Sequence, residues 1–396
     1  MVGPWRALLR MTPNLPVASD KASNSFALSV PSALSSLALF FCCTVWLPSA
    51  VVAILLLLNL SSRYSAGAVA VAILLGLLWR FLFRDLSRRE FSLLLAGTLA
   101  CILLAAMFSI FFYDTMSDSR AYHSDAILAL LHGSNPVYGL MPAIVVIPAN
   151  YYPKGTWYFA ALVIHAFGNF QLGKIYNFLL MFSCFAYAGS SFYRWGLRGR
   201  SLFPVAAAVA FSPVAVSQMT TYYADGAIAS LLALVVMANV NRAFCPARYD
   251  RSIYILSGSL AIAIKYSCGA YIVAASLVLV AVRVLYRRHA GGELRRALSK
   301  DLVDFAAVLF LGVIVLGYSP YVTNIRHGLH PLYPLMGRGK VDIMTGNTPP
   351  ALLNPEYNRF KQVLYSVLWP NPIGYKRAKC IEDPVHREEA GTDQLG

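Results

Sequence analysis

The residues best suited to chemistry stand between an apolar run that ends near 112 and another that begins near 173. This stretch opens Tyr113-Asp114-Thr115-Met116-Ser117-Asp118-Ser119-Arg120-Ala121-Tyr122-His123-Ser124-Asp125. On a helix, Asp118, Tyr122 and Asp125 fall at i, i+4 and i+7 and share one face. Carboxylates and a histidine grouped in this way can activate a hydroxyl, or hold a divalent cation through oxygen ligands. The plainer alternative is that Asp118 or Ser117 caps a helix over 119–132, stopped by Gly133 with Pro136 beyond, while Asp125 faces water.

Two further groups follow. Tyr151-Tyr152-Pro153-Lys154-Gly155-Thr156-Trp157-Tyr158 sets one ammonium among aromatics at an apolar boundary, and Arg120 is the other basic residue between 113 and 172. A compact cation there suits the phosphate of a lipid-linked substrate, with Trp157 and the tyrosines as interfacial anchors. Snorkelling without a ligand is the alternative. Gln218-Met219-Thr220-Thr221-Tyr222-Tyr223-Ala224-Asp225-Gly226 then places Asp225 at the head of an apolar run with no other charge until Arg242. Its desolvation needs an offset, which makes it a functional candidate, although a helix dipole would also favour it. Lys265, at the end of a later run, either binds an anion, neutralises Asp225 or snorkels.

What must position these groups is set by composition. The chain has 396 residues, 58% hydrophobic and 13% charged, with a net charge of +15. Soluble domains average roughly 45–50% apolar and 25% charged. So few charges exclude a soluble globular enzyme, a disordered chain and a collagen. The basic residues form short clusters between apolar runs and no continuous stripe, which argues for membrane flanks and against nucleic acid. Seven cysteines at 42, 43, 101, 184, 245, 268 and 380 form no C-x-x-C pair, so neither zinc nor a disulfide framework is indicated. The first thirty residues do not read as a signal peptide, and the first apolar run is expected to be a retained membrane helix.

With about 20 residues per span, the expected spans lie near 36–58, 65–83, 91–112, 173–194, 201–219, 226–244, 251–266, 268–287 and 301–320. Residues 31–60 could instead hold two short helices, and 251–287 is tight for two spans and long for one. Arg80, Arg84, Arg88 and Arg89 follow the second span, and Arg194, Arg198 and Arg200 the fourth. Arg242, Arg248 and Arg251 follow the sixth; Arg283, Arg287, Arg288, Arg295, Arg296 and Lys300 follow the eighth. The alternate loops hold Arg63, Arg120, Lys154, Lys174 and Lys265. Sixteen basic residues against five put the first set in the cytoplasm by the positive-inside rule. The expected fold is therefore an all-α polytopic membrane protein of about nine transmembrane helices. Its N-terminal segment, 1–35, is cytoplasmic and its first long outer loop is 113–172. The apolar stretch 157–167 is too short to span, so it and 119–132 are expected to be helices lying in the outer interface.

The three groups, in this order and on these loops, resemble the GT-C superfamily of integral-membrane glycosyltransferases, which includes protein O-mannosyltransferases and the lipid A aminoarabinose transferase. Asp118-Ser119-Arg120-Ala121-Tyr122-His123 is similar to the acidic motif that opens that family's first outer loop. Ser119 stands where the family often has a second acid, and Asp114 is the nearest substitute. Pro153-Lys154-Gly155-Thr156-Trp157-Tyr158 is similar to the family's Lys-Pro-Pro-aromatic motif with the prolines rearranged. Ser212-Pro213 with Asp225, and Ser319-Pro320-Tyr321 through His330-Pro331-Leu332-Tyr333-Pro334, extend the likeness over 114–334.

The resemblance implies a GT-C-like domain over 36–334, a tail over 335–396 on the outer side, and transfer of a sugar from a polyprenyl-phosphate carrier. The acceptor would be a glycan, lipid or protein at the outer face of the inner, or plasma, membrane. It implies Asp118 as general base, with Asp114 as its substitute and Tyr122 and His123 in support. Lys154 would hold the carrier phosphate together with Lys265 or Arg120, next to Trp157, and Asp225 would orient acceptor or lysine. No cofactor is expected with certainty. A divalent cation on Asp114, Asp118 and Asp225 stays open, without a metal-specific spacing. The alternatives are a lipid or small-solute transporter and a non-catalytic subunit of a polysaccharide assembly machine.

Overall fold

A computed structural model describes residues 30–116, 119–142, 147–286, 291–340, 358 and 361. The chain divides into two units, 1–341 and 342–396. In the second, Asn358 Oδ1 accepts the Lys361 backbone N–H at 2.8 Å; the rest of the expected tail beyond 340 lies outside the described residues. Among the described residues every regular element is helical and no strand occurs.

The first helix, α1, covers Val30–Leu57, 28 residues interrupted only by Pro48. It starts six residues before the expected span and is one continuous helix, not two. Apolar on all sides, it is suited to the middle of a bundle. It packs along α6 (Tyr176–Arg194), where hydroxyls replace bulk: Ser35 Oγ meets Ser190 Oγ at 2.7 Å, and Ser183 Oγ donates to Ala38 O at 2.7 Å. Small polar residues allow such close approach between apolar helices. Between them in sequence come α2 (Tyr64–Leu82) and α3 (Arg88–Phe111), both mostly exposed. Only 22% and 17% of their most apolar windows are buried, against 72% and 83% for α1 and α6. Apolar helices left this uncovered match the demands of lipid, where the helix satisfies its own backbone.

Among the described residues six helices are long and apolar enough to cross a membrane: Val30–Leu57, Ser61–Leu82, Arg88–Phe111, Phe170–Arg194, Asp225–Phe244 and Ser267–Leu285. The bent pair Leu294–Val315 and Tyr318–Arg326, at 80°, adds a seventh if it counts as one span. These account for seven of the nine expected positions. The other two are shorter. Residues 201–219 break at Phe211 and Ser212 into α7 (Leu202–Ala210) and α8 (Pro213–Gln218), the second capped by Ser212 Oγ on the Ala215 N–H. Residues 251–266 form α10 (Asp250–Ile264), only 15 residues long and largely buried.

The expected surface helix at 157–167 takes a different place. As α5, Gly155–Phe167, it lies inside the protein, with Trp157, Tyr158, Phe159, Ala160, Ala161 and Leu162 all buried. It packs against α1, α2 and the α4 helix Ser124–Leu131. A helix lying on an interface needs a polar face, and this one has none until His165. The segment 119–132 is helical as expected and stops at Gly133, whose φ of 90° favours glycine. Its first turn, Ser119–His123, is a π turn. The α-helical i, i+4, i+7 spacing expected to put Asp118, Tyr122 and Asp125 on one face therefore holds only from Ser124 onward.

One end of the bundle is locked by charge. Arg194 at the end of α6 donates to Asp250 at the start of α10 (2.8 and 2.9 Å), and Tyr187 Oη donates to the same carboxylate at 2.7 Å. Arg242, at the end of α9 (Asp225–Phe244), reaches Asp301 at 2.8 Å and Asp304 at 2.5 Å on α12 (Gly291–Leu309). Arg283, on α11 (Ser267–Tyr286), pairs with Asp301 at 2.9 Å, and Arg251 with Asp304 at 2.6 Å. Four of the arginines that set the topology are thus structural ties. Removing one partner from a buried pair typically costs about 3–5 kcal/mol, because the other charge stays buried alone. Asp304→Leu should lower unfolding stability in detergent by roughly that amount. Asp85→Ala breaks an exposed pair with Arg84 and should change stability by less than about 1 kcal/mol.

Candidate functional site

The opposite end gathers the end of α3, the starts of α9 and α11, the end of α10, and the loop residues between α3 and α6. Helix α5 begins there because Gly155 lets it approach α10: a Cβ at 155 would lie 3.0 Å from Ala263 O. On the α1 side, Ser49 Oγ donates to Gly155 O at 3.0 Å.

This seating aims Trp157 Nε1–H at His123 Nδ1, 2.7 Å away. An indole N–H can only donate, so the neutral His123 ring carries its proton on Nε2. His123 is buried, and burial pulls its pKa down to about 4, with Asp225 opposing and Lys265 adding to the shift. Near neutral pH the ring is a fixed hydrogen-bond donor through Nε2. With Nδ1 taken by the indole, it is poorly placed to act as a base.

Aromatic rings surround it. Tyr122 lies 4.2 Å from His123, 5.7 Å edge-on from Tyr152 and 6.4 Å from Trp157; Tyr223 lies 6.3 Å from His123, all between ring centroids. Asp225 and Lys265 form an ion pair at 2.6 Å, each about half exposed. Of the roles open to Lys265, neutralising Asp225 is the one seen. An exposed pair of this kind contributes about 0–1 kcal/mol, so it opens at little cost.

Lys154 is placed differently from the expectation of a phosphate-facing ammonium. It is fully buried, and its Nζ donates to Asn150 O at 2.7 Å and Tyr152 O at 2.8 Å, 5.8 Å from the Trp157 ring. Its job in this structure is to hold the 3₁₀ turn Ile147–Tyr151 against the start of α5. Burial pulls its pKa from 10.5 to about 7. Asp114 is also engaged: Oδ1 accepts Met116 N–H at 3.0 Å and Oδ2 accepts Tyr222 N–H at 2.5 Å. It pins the start of the loop to the segment before α9. Arg120 is exposed, and Asp118 lies outside the described residues.

The structure thus brings Tyr122, His123 and Trp157 into contact, with Asp225 and Lys265 in electrostatic reach, while Lys154 sits behind Trp157 and Asp114 serves backbone. Tyr152 and Tyr223 were missing from the expected site, although the Tyr-Tyr pairs at 151–152 and 222–223 flagged both segments. Tyr266 and Asn324 were also missed. Tyr266 Oη reaches Tyr151 O, and Tyr333 O at 3.0 Å, while Asn324 Nδ2 donates to Tyr333 O at 3.1 Å. These bonds tie the 318–336 segment, with its Ser319–Pro320 motif, to the turn at Tyr151. Among the described residues no three His, Cys, Asp or Glu side chains converge as a metal site.

No protein-family model, curated protein or solved structure matches this chain.

Two pH dependences follow from the burial of His123 and Lys154. His123 titrates near 4 when folded and near 6.5 when free, so between these values the unfolded chain holds the extra proton. Stability therefore falls as pH drops from 6.5 towards 4, and His123→Gln should flatten that part of a melting-temperature profile. Lys154 releases its proton near 7 when folded and near 10.5 when free. Stability should rise with pH across that window, and the rise should be smaller in Lys154→Met.

Proposed function

We propose that this protein is a glycosyltransferase of the GT-C type, moving a sugar from a polyprenyl-phosphate carrier to a hydroxyl acceptor. The observation that carries this reading is the aromatic wall of the half-buried Tyr122, Tyr152 and Tyr223 against the buried His123–Trp157 pair, close to the half-exposed Asp225–Lys265 pair. Aromatic faces suit the apolar faces of a sugar ring, a fixed N–H orients a sugar hydroxyl, and an available ammonium meets a phosphate. All of this sits at the end of an apolar bundle with exposed lipid-facing helices, where a polyprenyl chain is soluble.

In the proposed reaction the acceptor oxygen attacks the anomeric carbon, and the bond to the phosphate oxygen breaks with its electron pair. Asp118 takes the acceptor proton. The leaving polyprenyl phosphate is stabilised by Lys265, assisted by Arg120. Incoming phosphate replaces Asp225 as the partner of Lys265, and the freed Asp225 orients the acceptor. Lys154, which the resemblance assigns to the phosphate, positions the Ile147–Tyr151 turn and Trp157. The orientation that goes with this reading has nine crossings, the arginine-locked end in the cytoplasm and the site outside. A transporter would need its charged pair midway along the helices; the Asp225–Lys265 pair lies at helix ends.

Turnover of polyprenyl-phosphate sugars by the purified protein, read as release of polyprenyl phosphate, tests the proposal. Asp118→Asn keeps any capping role but loses the base, so transfer should fall by at least about 100-fold with the melting temperature unchanged. Asp125→Asn is the control and should retain most activity. Full transfer by Asp118→Asn would return Asp118 to helix capping.

A further inference from the structure

The arginines at the charge-locked end fall into two kinds. Arg194, Arg242, Arg251 and Arg283 each meet a carboxylate within 2.9 Å. Arg80, Arg88 and Arg89, at the turn between α2 and α3, have no carboxylate partner among the described residues. Both acids of that turn are already engaged. Asp85 contacts Arg84 at 3.6 Å. Glu90 closes a capping box on Ser87, accepting its backbone N–H at 3.0 Å and its hydroxyl at 2.7 Å.

Two of these arginines, Arg80 and Arg88, line a hollow together with Arg84. This hollow of about 370 Å³ is walled by Arg80, Arg84, Arg88 and Ser92, over Phe83, Leu86 and Phe91. Phe83 is fully buried and packs on Trp79, with ring centroids 4.4 Å apart, so the floor is rigid. No carboxylate lines the hollow. Arg84 and Arg248 both pack on the Phe81 ring at 5.5 Å, adding a further cation beside it. Three arginines line this one concave site, and among the described residues the only carboxylate in contact with any of them is Asp85, on Arg84. Guanidiniums are also suited to bidentate contact with phosphate oxygens.

We infer that this hollow binds the headgroup phosphate of an anionic phospholipid. The helices leading from it favour a lipid over a soluble anion. Leu74, Leu77 and Phe81 on α2 and Leu93 on α3 are exposed large hydrophobics, which gives acyl chains an apolar surface to lie along. The floor is apolar too, as suits a glycerol backbone and not a free, fully hydrated ion. Basic pockets between membrane helices near the headgroup level are well suited to such lipids. The site is at the opposite end from the aromatic wall, so it stands whether or not the glycosyltransferase reading holds.

The test uses the full-length protein in detergent and in nanodiscs, with phosphatidylglycerol, phosphatidylcholine and inorganic phosphate as probes. Lipid retention is read by native mass spectrometry, and protection by melting temperature. Phosphatidylglycerol should be retained and should raise the melting temperature above that in phosphatidylcholine. The double variant Arg80→Gln/Arg88→Gln should hold phosphatidylglycerol roughly tenfold or more weakly, with its melting temperature in phosphatidylcholine unchanged. Should that variant fail to fold, Arg84→Gln, whose side chain is exposed, should weaken retention in the same direction. Arg295→Gln/Arg296→Gln, exposed on α12, is the control and should retain the lipid. Equal loss in that control would make the effect general surface charge and overturn the site. Equal retention of phosphatidylcholine, or undiminished retention by both cavity variants, would overturn it as well. Protection by inorganic phosphate as strong as that by phosphatidylglycerol would overturn the lipid assignment.

Discussion

The cost of placing charge in an apolar bundle organises this molecule. Asp301 and Asp304 sit one turn apart on α12 and are nearly buried. They are tolerable only because Arg242, Arg251 and Arg283 arrive from three other elements to meet them. The same requirement joins Arg194 to Asp250 across α6 and α10. Each pair adds little net stability over an apolar packing, since desolvation offsets most of the attraction. What it supplies is uniqueness: a helix that slips by a turn strands a charge. That constraint fixes the ends of α6, α9, α10 and α11 together, the last three against the middle of α12, and so fixes where their other ends emerge.

At those other ends the polar groups are handled without strong ion pairs. His123 is kept neutral by burial and oriented by one indole N–H. Lys154 is held by two backbone carbonyls and the Trp157 ring. Asp114 spends both oxygens on backbone N–H groups. Each solution freezes a loop segment against a helix start, and together they leave the aromatic wall rigid. The Asp225–Lys265 pair is the exception, half exposed and weakly held, which makes it the part of the site that can rearrange. One end is thus held by buried ion pairs, and the other by hydrogen bonds to backbone with one half-exposed ion pair.

The sites were legible in the sequence to different degrees, and for physical reasons. The segments were found because charged and aromatic residues at the edges of apolar runs are costly enough to stand out. Their roles were harder to read. Lys154 and Lys265 look alike as lone ammoniums at boundaries, yet one is buried among carbonyls and the other pairs with a carboxylate 40 positions away. Tyr152 and Tyr223 lie in segments the sequence marks, but a tyrosine at a membrane boundary is ordinary until its ring meets another across the fold. The 157–167 helix was misplaced because length and hydropathy are the same for a short helix on a surface and one inside a bundle.

By itself, the sequence determined the solvent and the secondary structure. Long runs without charge cannot be solvated by water and can satisfy their backbone in lipid only as helices, and that follows from local composition. The clustering of arginines likewise set which loops belong together. Tertiary structure alone decided which of those arginines are paired and which face outward, and which lysine is buried. It also decided that His123 is buried with its Nδ1 hydrogen-bonded to the Trp157 indole. Those outcomes depend on desolvation and on partners distant in the chain, and neither is a property of any local stretch of residues.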